Sequence, residues 1–261
     1  LSAHLLQGCS HVLSLMRSTR MAKETLCLLY LPGCGSLPGG RKERFLQAYA
    51  DKKGHLLRCL EYSKPLGAEG AWMQKDLSSL HEALRDAEAA ADELTTDTHR
   101  RLVLVAASMG GWIAASLASS RFRHVFGALL LAPTAACSAA KVLPGQGGRF
   151  SGTDLLPSQH SDQGYTIHGA IRQELQEHTI EDRIPASCLV RIMHGDKDEA
   201  IPMEASEMLQ LHLKAKGVKA ELRRVTGGDH RLSSEVELAI LEEELDQLLF
   251  DLGAGEKKSD R

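Results

Sequence analysis

The stretch that most constrains the fold covers residues 101–113 and has the sequence RLVLVAASMGGWI. Residues 102–107 form an uninterrupted apolar run, which predicts a strand buried on both faces of a parallel sheet. The strand leads directly into Ser108, and small residues predict a helix over 112–120. A strand, a serine and a helix joined by so tight a turn have the layout of a nucleophile elbow, in which the serine hydroxyl projects above the sheet.

Small side chains flank the serine at the points where strand and helix must approach each other closely. Ala106 lies two positions before Ser108 and Gly110 two positions after it, whereas the usual pattern has glycine at both places. An ordinary strand-to-helix turn with an incidental serine is the alternative interpretation. The rest of the chain decides between these two interpretations, because a nucleophile elbow requires a base, an acid and an oxyanion hole in a fixed order.

Strands and helices alternate along most of the chain. Further strands are predicted at 26–31, 55–62, 125–132, 188–193 and 218–225, and helices at 43–51, 72–94, 202–216 and from Ser234 onward. Ser234 and Glu237 have the spacing of a capping box at the start of the last helix. This alternation predicts an α/β fold with a doubly wound, mainly parallel sheet and right-handed crossovers. Ligands bind beyond the carboxyl ends of the strands in such a sheet, and Ser108 follows one of those ends.

The length of the chain, 261 residues, fits one α/β domain with a large core, which we place at 24–252. A glycine-rich insertion at about 138–186 interrupts the alternation and predicts a small lid, with a helical pattern only at 168–178. Residues 1–23 carry basic but no acidic side chains, which is the composition typical of an organelle transit segment. The alternative is that this segment is an artefact of the gene prediction. Residues 253–261 predict a polar, disordered tail.

Charge and composition argue against several classes of protein. Acidic and basic residues are mixed, with a formal net charge of −3, which disfavours nucleic-acid binding. No apolar run reaches the roughly 18 residues of a membrane span, so no transmembrane segment is predicted. The cysteines are scattered without CxxC spacing, which favours reduced thiols over disulfides or zinc. We expect no metal and no cofactor, and a monomer is favoured although the oligomeric state is open.

A serine hydroxyl is a weak nucleophile, so it needs a histidine to take its proton and a carboxylate to orient that histidine. On this architecture the partners follow in the order serine, acid, histidine. Asp198 lies in the loop after a predicted strand, and His230 lies in a glycine-bearing loop between the last strand and the last helix. Asp196 is the alternative acid, and we interpret His194, which ends its strand, as structural.

The first predicted strand ends abruptly in a turn with the sequence PGCG. Gly33 lets the backbone bend toward the nucleophile, so we assign the N–H groups of Cys34 and Met109 to the oxyanion hole. Cys34 is not predicted to be the nucleophile, because no histidine or cationic group is evident beside it.

Substrate-binding candidates come from the insertion and from the base loop. The apolar side chains of Phe150, Leu155 and Tyr165 either roof an acyl pocket or pack the insertion onto the core. Arg231 either holds a substrate carboxylate or forms a surface salt bridge. Both pairs of alternatives stay open.

Three motifs, VAASMGGW, MHGDKDEAIP and GGDHR, resemble the nucleophile, acid and base motifs of the α/β-hydrolase superfamily. The resemblance covers nearly all of residues 26–252. More narrowly, SMGGW, PASCLVRIMHGDKD and DHR resemble the mitochondrial acyl-protein thioesterase and mycophenolic acid acyl-glucuronide esterase subgroup. The resemblance implies that Ser108 is the nucleophile, Asp198 the acid and His230 the base, with the N–H groups of Cys34 and Met109 as the oxyanion hole.

These features together predict a metal-free serine hydrolase that attacks an ester or thioester carbonyl and forms an acyl-enzyme at Ser108. Its partner would be a small-molecule or acylated-protein substrate, and its location mitochondrial, with the cytoplasm as the alternative. A serine peptidase or carbon–carbon hydrolase of the same fold is a rival, because the fold does not choose the substrate. A non-catalytic binding protein is a second rival, which a complete set of catalytic residues disfavours.

Overall fold

The structure is a computed structural model that describes residues 25–36, 38–69, 77–97, 100–119, 124–134, 153–156, 165–177 and 183–253. Three predicted features lie wholly or partly outside these ranges: the segment 1–23, much of the insertion with Phe150, and residues 254–261 of the tail.

The described residues form strands β1 (Thr25–Leu31), β2 (Leu56–Cys59), β3 (Gly67–Glu69), β4 (Arg100–Ala107), β5 (Val125–Leu131), β6 (Thr153–Leu156), β7 (Tyr165–His168), β8 (Leu189–Gly195) and β9 (Ala220–Val225). Their helices are α1 (Arg41–Lys53), α2 (Leu80–Thr95), α3 (Gly110–Ala118), α4 (Ile171–Glu177), α5 (Met203–Ala215) and α6 (Glu235–Asp251). None of these helices is long and apolar enough to cross a membrane.

Six strands form the central sheet in the order β2-β1-β4-β5-β8-β9, and each neighbouring pair is parallel. The prediction of an α/β fold with a mainly parallel sheet is therefore confirmed. β9 lies at an edge of the sheet, in agreement with its alternating pattern of polar and apolar residues.

Both faces of the central sheet are buried. Leu29 and Leu104 belong to the apolar cluster that contains side chains of α2, α3 and α5, whereas Leu28 and Val103 belong to the cluster on the other face, with α1 and α6. Successive residues of a strand point to opposite faces, so a strand covered on both sides needs an unbroken apolar run. This requirement explains why β1 and β4 have no polar interruption at their centres.

A second, smaller sheet was not predicted. It consists of three antiparallel strands in the order β3-β7-β6, and two of them lie in the predicted insertion. Outside its helical pattern the insertion was expected to be irregular, so this expectation was wrong for β6 and β7. The helix α4 lies within the predicted helical stretch. Ile167 is fully buried in the cluster around α2 and α3, so the small sheet packs onto the core.

Several helices start at other residues than predicted; α1, for example, begins at Arg41, two residues before its predicted start. α2 was predicted from residue 72, but it begins at Leu80, where the Ser79 side chain accepts a hydrogen bond in a capping box. α3 begins at Gly110, two residues earlier than predicted. The capping box predicted at the start of α6, with Ser234, is confirmed.

Candidate active site

Ser108 occupies the turn between β4 and α3 in a left-handed conformation, with φ of 49°. A non-glycine residue in this region costs about 1–3 kcal/mol of strain, which persists only where the surroundings hold the residue there. Its N–H donates to the carbonyl of Leu131 at 2.9 Å, and its carbonyl accepts from the N–H groups of Gly111 at 2.9 Å and Thr134 at 3.1 Å. These three backbone hydrogen bonds fix the turn that presents the hydroxyl.

Two glycines allow the backbone to come close to this turn. A Cβ atom on Gly110 would lie 2.3 Å from the carbonyl oxygen of Leu31, so the start of α3 packs directly against the end of β1. A Cβ atom on Gly33 would lie 2.9 Å from both the Ala107 carbonyl oxygen and the Ser108 Cβ atom. The loop after β1 therefore lies against the serine, as the oxyanion-hole assignment requires.

The structure brings together the three side chains that the sequence predicts to act as a unit. The Nε2 atom of His230 lies 3.2 Å from Ser108 Oγ, and its Nδ1 atom lies 2.7 Å from Asp198 Oδ2. Because an ionised carboxylate is an acceptor only, Nδ1–H donates to Asp198 and Nε2 is left to accept from the serine hydroxyl. This arrangement lets the histidine take up the serine proton.

The Asp198 side chain has no exposed surface, yet it is ionised. Burial alone would raise the pKa of this carboxyl, but hydrogen bonds from His194 and His230, and from the N–H of Ile201, hold its pKa well below the usual range. Its Oδ1 atom accepts from the N–H groups of Ala200 at 2.9 Å and Ile201 at 2.8 Å. The carboxylate is thus fixed on both oxygens and negatively charged at neutral pH.

Asp196, the alternative acid, binds a backbone N–H group of the loop after β9. Its Oδ1 atom accepts from the N–H of Gly227 at 2.7 Å, which ties the loop after β8 to the loop after β9. A Cβ atom on Gly195 would lie 2.2 Å from the carbonyl oxygen of Gly228, so the two loops touch. Asp196 holds the loops together, and Asp198 is the one that contacts His230.

The loop that carries His230 has its own supports. The Asp229 carboxylate accepts from the N–H groups of Arg231 at 2.8 Å and Leu232 at 3.0 Å. The Lys42 ammonium, in the first turn of α1, donates to the carbonyl of Arg231. Burial lowers the pKa of Lys42 to about 8. Lys42 therefore links the base loop to α1, a contact that no local pattern in the sequence indicates.

A cavity of about 630 Å³ opens beside Ser108 and His230. Its walls combine aromatic, aliphatic and basic side chains, among them Tyr30, Cys34, Arg41, Lys42, Cys59, Leu60, Tyr62, Leu66 and Arg231. The Tyr62 hydroxyl donates to the carbonyl of Pro32 at 2.9 Å, which stiffens the wall next to the loop after β1. Tyr62 follows the carboxyl end of β2, so the rule that ligands bind there could have identified it.

The remaining predicted residues fall at or outside this site. Burial raises the pKa of the Cys34 thiol to about 12, so the thiol is neutral at physiological pH, and Met109 is buried directly after the serine. Arg231 is exposed and lines the cavity. Leu155 and Tyr165 lie on β6 and β7, but their side chains, like Phe150, are outside the described part of the structure.

A doubly wound parallel sheet with a strained serine at a strand–helix turn, and an aspartate and a histidine on later loops, defines a hydrolase of the α/β-hydrolase fold. No protein-family model matches the chain. The chain is similar to the protein named "Palmitoyl-protein thioesterase ABHD10, mitochondrial" of Homo sapiens, with 25% identity over 232 residues that cover 86% of this chain and 73% of the relative. With the protein of the same name from Mus musculus, the identity is 26% over 241 residues, which cover 89% and 78%.

Solved structures give the same fold. Mouse alpha/beta hydrolase domain-containing protein 10 superposes with a TM-score of 0.67 and 22% identity, covering 87% of this chain and 90% of that one. A putative hydrolase from Agrobacterium vitis gives a TM-score of 0.71 with 24% identity, covering 87% and 88%. Est1E from Butyrivibrio proteoclasticus gives 0.64 with 19% identity, covering 89% of each chain. The predicted resemblance to the α/β hydrolases and to their mitochondrial thioesterase subgroup is confirmed.

Proposed function

We propose that this chain is a serine hydrolase that cleaves carboxylic esters or thioesters through an acyl-enzyme on Ser108. One observation carries the proposal: a continuous line of hydrogen bonds runs from the Ser108 hydroxyl through His230, 3.2 Å away, to Asp198, a further 2.7 Å away. A serine needs such a base and such an orienting carboxylate to become a nucleophile at neutral pH. The similarity to proteins named thioesterase and esterase supports an ester or thioester as the bond that is cleaved.

In the first half of the proposed reaction, Ser108 Oγ attacks the substrate carbonyl carbon while His230 Nε2 takes the hydroxyl proton. The carbonyl oxygen becomes an oxyanion, and the Asp198 carboxylate stabilises the imidazolium. The N–H groups of Cys34 and Met109 donate to the oxyanion in this scheme. Each such donor is typically worth about 3–4 kcal/mol of barrier.

In the second half, the imidazolium of His230 returns its proton to the leaving oxygen or sulfur as the bond to the acyl carbon breaks. A water molecule then attacks the acyl-enzyme, and His230 takes a proton from that water. When the second tetrahedral intermediate collapses, the carboxylic acid leaves and Ser108 regains its proton. The scheme balances with water as the only co-reactant.

The proposed substrates are S-acylated proteins and small acyl esters or thioesters. The cavity beside Ser108 supports this, because the aliphatic and aromatic side chains in its walls suit an acyl chain. The names of the curated relatives also indicate an acylated protein as substrate.

We also propose a mitochondrial location, which the names of the relatives and the basic composition of residues 1–23 support. Fractionation of cells that express the full-length protein with a carboxyl-terminal tag tests the location, and recovery outside mitochondria would contradict it.

Labelling with a fluorophosphonate probe tests the nucleophile. We expect the wild type to be labelled and Ser108→Ala to be unlabelled. Ser36→Ala is the matched control, because Ser36 lines the same cavity and its loss should leave labelling unchanged. Equal labelling of wild type and Ser108→Ala would contradict the proposal.

The substrate class is tested by turnover of three matched substrates, an acyl thioester, an acyl oxygen ester and a peptide amide, by wild type and Ser108→Ala. We expect Ser108-dependent hydrolysis of the thioester and the ester. A preference for the amide would indicate a peptidase instead. Absence of turnover with all three, together with absence of labelling, would indicate a binding protein.

A further inference from the structure

Asp198 contacts a second histidine besides His230. His194, at the carboxyl end of β8, is fully buried, and its Nε2 atom lies 3.1 Å from the same Oδ2 atom that His230 contacts. The same Nε2 atom lies 3.0 Å from the carbonyl oxygen of Ile201. On the other side of the ring, Nδ1 lies 2.6 Å from the hydroxyl of Ser206 on α5. One carboxylate oxygen is therefore shared by two imidazole rings.

The contacts of His194 fix its tautomer. A carbonyl oxygen and an ionised carboxylate oxygen are both acceptors only, so the Nε2 atom that faces them carries a proton and donates. In a neutral ring the Nδ1 atom is then an acceptor, and the Ser206 hydroxyl donates to it. Ser206 is also fully buried. The imidazole is therefore held in one tautomer and one orientation by groups on α5 and on the loop between β8 and α5.

We propose that His194 is a positioning residue of the reaction, which together with Ser206 holds the Asp198 carboxylate in the orientation that His230 requires. The inference rests on the proposed function, because it has meaning only if Asp198 is the acid. His194 is not one of the described residues that line the cavity, so it acts through Asp198 and not on the substrate. His194, which we interpreted from the sequence as structural, thereby gains a role in positioning Asp198.

The geometry explains why the acid needs this support. The backbone N–H groups of Ala200 and Ile201 hold only Oδ1, and without His194 the other oxygen would be tied only to the histidine that it must orient. The His194 N–H also interacts with the negative charge of Oδ2. The two histidines therefore share this charge. Among the described residues, the titratable groups that contact Asp198 are His194 from β8 and His230 from the loop after β9, whereas α5 contributes the uncharged Ser206, which contacts the His194 ring.

Two effects should therefore follow when the donor is removed. Looser positioning of Asp198 lowers kcat but leaves KM nearly unchanged, because the substrate does not touch His194. The undivided carboxylate charge then favours the imidazolium form of His230, so the acidic limb of the rate profile moves to higher pH. A residue with only a structural role would change neither quantity in the folded protein.

The test compares wild type, His194→Leu, His194→Gln and Ser206→Ala in hydrolysis of p-nitrophenyl acetate over a range of pH, with the folded fraction measured by circular dichroism. For His194→Leu we expect kcat to fall about 10- to 100-fold, the range seen when an outer hydrogen-bond partner of a metal ligand is lost. We expect its acidic limb to shift upward and its KM to change less than about threefold. The amide N–H of Gln replaces the Nε2 donor, so His194→Gln should recover most of the kcat.

The control is His81→Gln, because His81 also contacts a carboxylate, that of Glu174 at 2.8 Å, but it does not appear among the described cavity residues. It should keep the wild-type kcat and pH profile. If His194→Leu does not fold, Ser206→Ala decides, since it removes the hydroxyl that anchors the Nδ1 side of the His194 ring at little change in volume. A kcat and acidic limb equal to wild type in the folded variant would overturn the positioning role.

The two proposals fail in different ways. If wild type shows no Ser108-dependent turnover, the proposed function fails and the role of His194 fails with it. If wild type is active and His194→Leu matches it per folded molecule, only the role of His194 fails.

Discussion

The central sheet is parallel and the small sheet β3-β7-β6 is antiparallel, and the two also differ in which functional groups they position. The central sheet buries both faces and places Ser108, Asp198 and His230 at its carboxyl edge. The small sheet has strands of three or four residues and joins the core through a few anchors such as Ile167. Precise chemistry requires the more rigid support, and the central sheet provides it.

The two regions meet beside the site at Gly67 in β3. Gly67 lines the cavity, and a Cβ atom there would lie 2.1 Å from the Cys34 sulfur and 2.9 Å from the carbonyl oxygen of Thr166. The small sheet therefore borders the cavity, and Gly67 is the only one of its described residues among those that line it. Changes on the central sheet should affect the reaction strongly, and changes on the small sheet should mainly affect stability.

The largest effect is expected for Asp198→Asn. An amide in place of the carboxylate no longer favours the Nδ1–H tautomer of His230, and such a replacement lowers kcat by about 10⁴-fold in a serine protease triad. Asp196→Asn is the matched control, since Asp196 accepts from the Gly227 N–H and not from the base; it should lower kcat by less than about tenfold. Both are measured with a p-nitrophenyl ester. A larger loss in Asp196→Asn would reverse the assignment.

Asp198→Asn should also change how stability depends on pH. The pKa of Asp198 is lower in the folded protein than in the unfolded chain, so its stabilising contribution is fully present above the unfolded pKa of about 3.9 and is lost as pH falls through the folded pKa. Hydrogen bonds to a charged group contribute about 1.5–3 kcal/mol, so urea unfolding at neutral pH should show a difference of this order from wild type. That difference should shrink in acid; a constant difference would contradict the ionised state.

Alanine at two glycines compares the two regions directly. Gly110→Ala places a Cβ atom 2.3 Å from backbone at Leu31, which cannot yield easily, whereas the nearest atom to a Cβ on Gly67 is the Cys34 sulfur, the end of a movable side chain. Overpacking a rigid site costs about 1–3 kcal/mol, and we expect Gly110→Ala to show this loss together with reduced activity. Gly67→Ala should be milder in thermal unfolding and in kcat. The opposite order would mean that the small sheet is the more rigid part.

The sequence predicted the central region well because its signals are local. The apolar run into Ser108 and the capping box at Ser234 can each be identified within a few consecutive residues, and each appears at the predicted place. Asp198 and His230 were predicted from their order along the chain, because in this fold class an acid and a histidine in that order lie close to the serine.

The sequence could not predict features that depend on distant pairing. β3 pairs with β7 nearly a hundred residues away, and strands so short carry no periodicity that separates them from a loop. The contact of Lys42 with the Arg231 carbonyl likewise joins a helix and a loop that only the folded sheet brings together. The proposed role of His194 was missed for a different reason: Asp198 lies only four residues further along the chain, but no local pattern in the sequence shows that the His194 ring faces its carboxylate.

The contact that anchors the small sheet to the core should make an intermediate contribution to the free energy of unfolding. Glu174 on α4 is buried, and it accepts from the Leu80 N–H at 2.8 Å at the start of α2. Replacing the carboxylate in Glu174→Gln weakens a charge-assisted hydrogen bond, which we expect to cost about 1–2 kcal/mol of unfolding free energy. Amide exchange should quicken at 165–168 but not at 102–107. Glu243→Gln removes only an exposed pair with Arg223 and should cost less than about 0.5 kcal/mol.

The smallest effect on ester hydrolysis is expected from thiol alkylation. This treatment tests whether a reactive nucleophile lies at the border between the two sheets. Cys34 is the thiol beside both Ser108 and Gly67, and because burial raises its pKa to about 12, the reactive thiolate is scarce at about pH 8. Iodoacetamide at that pH should leave ester hydrolysis within about twofold of the untreated enzyme, and Cys34→Ala should also remain active. Rapid inactivation that Cys34→Ala prevents would instead place a reactive nucleophile at the border, and the division between a catalytic sheet and a supporting sheet would no longer hold.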